Sequence, residues 1–293
     1  MKFDFFTFGG RFFWEDLFNY QGWVIQRHTR TKKYRLLDNH GIRRDSGSFT
    51  DCKNTLLKYI EAYELPAPYT DSVLLLHNFG RTKFSLNKIC DSLKEMKANI
   101  IAVNSASLQK SLNYQANQLI QFIKNLNHHG KLYVITHGSG CLLLRKLLAS
   151  ADNYRAYHLA RVIDINPINS GSDLADLLKD NIFCQKVFGP MLAEMAPQKA
   201  FSLAQLPKEI PHGLIFYPPT YTKIVKKLIS RFESFPFASP PSEQSYADDR
   251  YQFSKYRWFP LADKELGDIC RQYLLTGKFP APAPKEDTSD SEK

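Results

Sequence analysis

Three stretches of this 293-residue chain bring together residue types that could do chemistry. In Thr136-His137-Gly138-Ser139-Gly140-Cys141 a hydroxyl stands between two glycines, with an imidazole on one side and a thiol on the other. A serine on such a tight turn can attack a carbonyl carbon when a base takes its proton. Cys141 is either a thiol nucleophile with a lowered pKa in the first turn of a helix, or a buried core cysteine. His77-Asn78-Phe79-Gly80-Arg81 adds a histidine and a short loop of backbone N–H groups. The N–H groups of Asn78 or Phe79 and of Ser139, at a helix start, form a candidate nook for an anion. The third stretch runs from Asn166 to Ala175, and Asp248-Asp249 is a later acidic pair. No HExxH, no Cys/His cluster and no GxGxxG spacing is present, so no metal and no cofactor is expected.

These stretches need elements to position them. Ser72–His77, Ile100–Asn104, Leu132–His137, Val162–Asn166 and Gly213–Tyr217 are near-continuous apolar runs, the pattern of strands buried on both faces of a parallel sheet. Helical periodicity lies between them, at Leu86–Lys97, Leu112–Asn125 and Cys141–Ala149, and returns at Leu266–Leu275. The alternation predicts an α/β chain with a doubly wound, mostly parallel sheet. Loops at the strands' C-terminal ends then hold the ligand. After Tyr217 the pattern degrades into proline-rich loop, and Asp248-Asp249 reads as a solvated pair within it.

The first 66 residues read as a separate module. Gly22–Gln26 and Lys33–Leu37 make a hairpin, and Ser48-Phe49-Thr50-Asp51 opens a helix bearing Leu56, Leu57, Ile60 and Tyr63. Arg27, Arg30, Lys32, Lys33, Arg35, Arg43 and Arg44 lie there among Trp23 and Tyr34, so nucleic acid is a candidate partner. The alternative is a solvated basic face, or a module that docks on the large domain and covers its ligand face. The large domain spans 71–279, and 280–293, proline-rich then acidic, is expected to be a disordered tail. A net charge of +10 permits acidic partners without requiring them. A mean hydropathy of −0.36 and the lack of a long apolar run exclude a transmembrane helix. The N-terminus does not look like a signal peptide and the five cysteines are widely spaced, which together predict a cytoplasmic protein with reduced thiols.

Taken in order, the HNFGR loop, the THGSGCLLLR turn, the NPINSGSDLA segment and Phe188-Gly189-Pro190 resemble the α/β-hydrolase superfamily, in its bacterial lipase/esterase-like branch. That branch shows HGxGR, THSMGG-LLxR, PPNxGSxxAD and FGP at this spacing; the resemblance covers about 72–192 and more faintly 257–279. It implies a serine on a strand-to-helix elbow, a histidine base, an orienting acid and an oxyanion hole. Here every side chain of that set departs. The nucleophile position falls on Gly138, and the base position falls on Arg257. No histidine follows residue 212, and Tyr217–Tyr221 replaces the acid turn.

The resemblance with these departures predicts a catalytically degenerate relative that keeps a pocket for an acyl or anionic ligand. Sliding the register by one makes Ser139 the nucleophile of an atypical ester hydrolase, with His137, His77 or His212 as base. His137 and Cys141 would then fill sites that need small residues. Without the slide, Ser139 is a helix cap.

Overall fold

The computed structural model describes residues 4–7, 14–20, 23–28, 30–38, 42–62, 70–105, 107–108, 110–125, 130–149, 153–216, 247–253, 261 and 263–281. The apolar runs form the centre of one parallel sheet. Its strands are β1 (Asp4–Thr7), β6 (Ser72–Leu76), β7 (Asn99–Asn104), β8 (Leu132–His137), β9 (Leu159–Ile165), β10 (His212–Phe216) and β11 (Asp249–Gln252), in the spatial order β1-β7-β6-β8-β9-β10-β11. Every residue of β6 and β8 is buried, which is why these segments read as unbroken apolar runs rather than as alternation.

Alternate residues face opposite cores. Leu74, Leu76, Val134 and Val162 pack with helices α3 (Leu112–Asn125) and α4 (Gly140–Leu147) on one side. Val73, Leu75, Tyr133 and Ile135 pack on the other with α2 (Asn87–Leu93) and the last helix, Lys264–Thr276. The chain leaves β6 for β7 on one flank and then crosses to β8 on the other. The loops after β6 and β8 therefore flank the point where strand order reverses, where open α/β sheets bind ligands.

The N-terminal module is larger than a hairpin. Strands β2 (Trp14–Tyr20), β3 (Trp23–His28), β4 (Tyr34–Leu37) and β5 (Arg43–Gly47) make an antiparallel sheet, and the expected hairpin is its central pair. Helix α1 (Phe49–Ala62) covers one face with Cys52 and Leu56, while Leu57 is exposed. Its start is a reciprocal cap: Asp51 N–H donates to Ser48 Oγ (3.1 Å) and Ser48 N–H donates to Asp51 Oδ2 (2.8 Å). The module does not begin at residue 1, because β1 leaves it to pair in parallel with β7 of the large sheet.

Two more expectations change. Asp248-Asp249 is a solvated loop pair only in part: Asp248 is exposed in the bend before β11, its Oδ2 accepting from His212 N–H (2.7 Å), while Asp249 opens β11 and its Oδ2 accepts from Phe279 N–H (2.7 Å). An edge strand half-buried on one face only lacks the apolar run that marks the central strands. Between β9 and β10 the chain forms four short helices, α5 being the earlier Asn153–Ala156: α6 (Asp173–Leu178), α7 (Ile182–Phe188), α8 (Met191–Glu194) and α9 (Pro197–Phe201). The last helix is α10 below. The proline-rich stretch 217–246 and the tail beyond 281 lie outside the described residues.

Candidate functional site

At the end of β8 the chain turns into α4 through Gly138, whose φ of +53° lies in the left-handed region, while Ser139 has an ordinary helical φ of −67°. The strained position of the turn is thus Gly138. Gly140 is fixed by proximity, because a β-carbon there would lie 2.7 Å from the Leu76 carbonyl oxygen. The facing loop after β6 is a type II turn. Arg81 N–H closes on the Asn78 carbonyl (3.1 Å), with Gly80 at φ +66° in the third position.

The two loops meet through the Asn78 side chain. Asn78 Oδ1 accepts from Ser139 N–H (2.9 Å) and from Phe79 N–H (2.8 Å). Its carboxamide carbon stands where a side chain on Gly138 would begin: a β-carbon there would lie 2.3 Å from Asn78 Cγ. The two N–H groups of the expected anion nook converge on one oxygen, and that oxygen belongs to the chain itself. Ser139 is 1% exposed, and its hydroxyl accepts a second branch of the Phe79 N–H bond (2.7 Å). Its side chain therefore does not cap α4, and among the described residues it hydrogen-bonds no histidine.

The three nearby histidines are placed differently from one another. His77 is buried with Nδ1 2.7 Å from the Asn78 carbonyl, and its Nε2 accepts from Ser105 N–H (3.0 Å). Since Nε2 accepts, the proton sits on Nδ1, so this imidazole is a neutral brace between two loops. His137, also buried, is held neutral: burial first, then the charge of Arg81, pull its pKa down to about 3. His212 opens β10 level with Val162 and hence with Val134, four residues or roughly 13 Å along the chain before Gly138. Its Nε2 meets Asp164 Oδ2 at 3.0 Å, and Asp164 Oδ1 accepts from Thr136 Oγ1 (2.5 Å), closing a buried Thr–Asp–His network across β8, β9 and β10.

Cys141 takes the inert alternative. Burial, with Asp164 close by, raises its thiol pKa well above the ordinary value, so it is no thiolate nucleophile. Arg145, the arginine of the LLLR run, was not singled out for a role. Its buried guanidinium donates to the carbonyls of Asn169, Ala200, Leu203 and Ala204, tying the segment after β9 to α4. Arg257 and Tyr217–Tyr221, the base and acid positions of the resemblance, lie outside the described residues. In the module, Arg35 lies 3.9 Å over the Trp14 ring and bonds Gln26, and Arg44 pairs with Asp38, so at least two of the seven cations are engaged internally.

A parallel sheet, an elbow at its reversal point and helices on both faces recur in solved structures. The mature form of the Bacillus licheniformis lipase BlEst2 superposes with a TM-score of 0.54 at 14% identity, over 72% of this chain and 94% of that one. The chain has the α/β-hydrolase fold. The propeptide form of the same lipase gives a TM-score of 0.53 at 15% identity; the match covers 76% of this chain and about half (53%) of that one. No family model and no curated protein matches the sequence. Gly138 lies on the turn from β8 into α4, and Asn78 on the loop after β6 that faces it. Among the described residues, no group of side chains could hold a metal ion, and no helix is long and apolar enough to cross a membrane.

Proposed function

We propose that this hydrolase-fold protein is catalytically degenerate, a relative of lipases and esterases that binds an acyl or anionic group at its elbow without cleaving it. The observation that supports this reading is the Asn78 carboxamide, which packs where a nucleophile's side chain would begin and takes both N–H donors of the oxyanion hole. Donors of this kind accelerate a reaction only when a nucleophile attacks beside them. Gly138 offers none. Ser139 points its hydroxyl at the Phe79 N–H instead. A ligand's carboxylate or carbonyl oxygen enters by displacing Asn78 Oδ1, accepting from Phe79 and Ser139 at the start of α4, with Arg81 on the same loop.

The test is hydrolysis of nitrophenyl butyrate by the purified protein and by Ser139→Ala. Both are expected at the buffer rate; turnover in the wild type that vanishes in the variant would overturn degeneracy. The ligand half is read separately by calorimetric titration with octanoate. Asn78→Gly, which removes the internal competitor, should bind more tightly than wild type, and absence of binding to both proteins would remove that half.

A further inference from the structure

Helix α7 carries an apolar face that the fold does not use. Asn181 caps the helix, its Oδ1 accepting from Phe183 and Cys184 N–H (3.0 Å each), so it is a formed helix and not a frayed end. Cys184 and Phe188 pack toward the core, and Phe188 meets Phe79 beside the elbow (ring centroids 6.2 Å). At about 100° per residue, Ile182, Phe183, Lys186 and Val187 fall together on the opposite side. Ile182 is 71% and Phe183 73% exposed, and Val187 is exposed beside them. A short helix whose inner face already packs gains nothing in the fold from apolar residues outside. Such a patch marks a surface that meets a partner.

The charges around the patch indicate which partner. The segment between β9 and β10 holds five carboxylates against four lysines, and Lys179 is already paired with Asp176 (2.6 Å). A surface so nearly balanced has no net field that selects an anionic or a cationic partner. Along α7, however, the charges have a direction: the exposed Asp180 precedes the helix, and the exposed Lys186 lies in its last turn. An antiparallel two-fold pair of α7 helices, centred on the patch, sets Ile182 of one copy against Val187 of the other. Each Lys186 then stands about 5 Å along the axis from Asp180 of the second copy, against about 9 Å from its own, within reach of its long stem. The face is thus complementary to itself, and a two-fold interface makes each such pair twice. The three apolar side chains bring on the order of 300–400 Å² per copy, about half of one partner's share in a standard interface, which suits a reversible association. We infer that this protein forms a two-fold dimer through antiparallel α7 helices, with a second copy of the chain covering Ile182, Phe183 and Val187. The inference goes beyond the elbow reading and does not depend on it.

The experiment is sedimentation velocity of the full chain between about 1 and 100 µM, the range in which an interface of this size associates. Wild type should shift from monomer to dimer across that range. Ile182→Ser/Phe183→Ser should stay monomeric throughout. Both residues are solvent-exposed, so an unchanged melting temperature at about 1 µM, where the wild type is also monomeric, certifies the variant's fold. Lys186→Asp and Asp180→Lys each put two like-charge pairs into the dimer and should weaken it at least about fivefold. The two exchanges combined restore opposite charges, so that variant should recover association. A wild type that is monomeric at the highest concentration would overturn the inference, and so would a dimer that Ile182→Ser/Phe183→Ser leaves intact. A lower melting temperature for that variant would do the same, since the chain itself would then cover the patch. A combined charge variant no stronger than either single one would overturn the antiparallel pairing.

Discussion

The elbow and the Thr136–Asp164–His212 network lie a few residues apart on the same strands and hold their polar groups in opposite ways. At the elbow, backbone donors converge on a side chain that comes from a half-buried loop, and one rotation of Asn78 would free the Ser139 N–H and leave the Phe79 N–H on Ser139 Oγ. In the network, three side chains from three neighbouring strands satisfy each other inside the sheet, where no rotation brings water. Both contain residue types that an active hydrolase uses. What separates a binding site from a piece of core is therefore whether the acceptor can leave, and this can be tested by removing each acceptor.

The largest effect is expected in the core. Asp164→Ala leaves the Thr136 hydroxyl and the His212 imidazole buried without their shared acceptor. At about 1–3 kcal/mol for each orphaned group, this should cost roughly 3–5 kcal/mol in urea unfolding. A loss below about 1 kcal/mol would mean that the network is not a structural unit. At the elbow, Gly138→Ala must expel Asn78 and also place a β-carbon on a left-handed backbone. Two displaced hydrogen bonds and the backbone strain together predict a loss of about 2–4 kcal/mol. In an Asn78→Gly background only the strain remains, about 1–2 kcal/mol, so the double-mutant cycle should show coupling of about 1–2 kcal/mol. Additive effects would show that Asn78 already leaves the elbow in solution.

The same contrast explains what could be read from the sequence. The central strands were legible because burial on both faces writes an unbroken apolar run, and Gly138 was legible because the order of the resemblance's motifs puts it on the turn between strand and helix. The fold resemblance rested on motif order, and the likeness to a solved lipase bears the fold out. β1 and β11 were not legible: four-residue edge strands carry no run of their own, and each is defined by a partner far along the chain. Nor was the role of Asn78 legible, since its bond to Ser139 spans 61 positions and depends on one rotamer. His212 and Asp164 are 48 positions apart, and only the register of β9 against β10 brings them together. In the resemblance's motifs Gly precedes the loop's apolar residue and Ser stands at the elbow. On that alignment this chain carries Asn78 and Gly138 instead.

His137 sits between the two regions, one residue after Thr136 and one before Gly138, and it offers the smallest but most selective probe. Its imidazole is buried and neutral in the folded protein, with a pKa of about 3 against about 6.5 when unfolded. Between these values the unfolded chain binds a proton that the folded chain refuses. The stability this group contributes is therefore complete above about pH 6.5 and falls as the pH drops toward 3. The expected slope is on the order of 1.4 kcal/mol per pH unit for this one group. His137→Phe should flatten the pH dependence by that amount between pH 6 and 4 while leaving other titrations in place, as followed by urea unfolding. If the two proteins show the same slope, His137 takes up its proton without unfolding, which would require the elbow to open to water and would move it away from the sealed network toward the displaceable site.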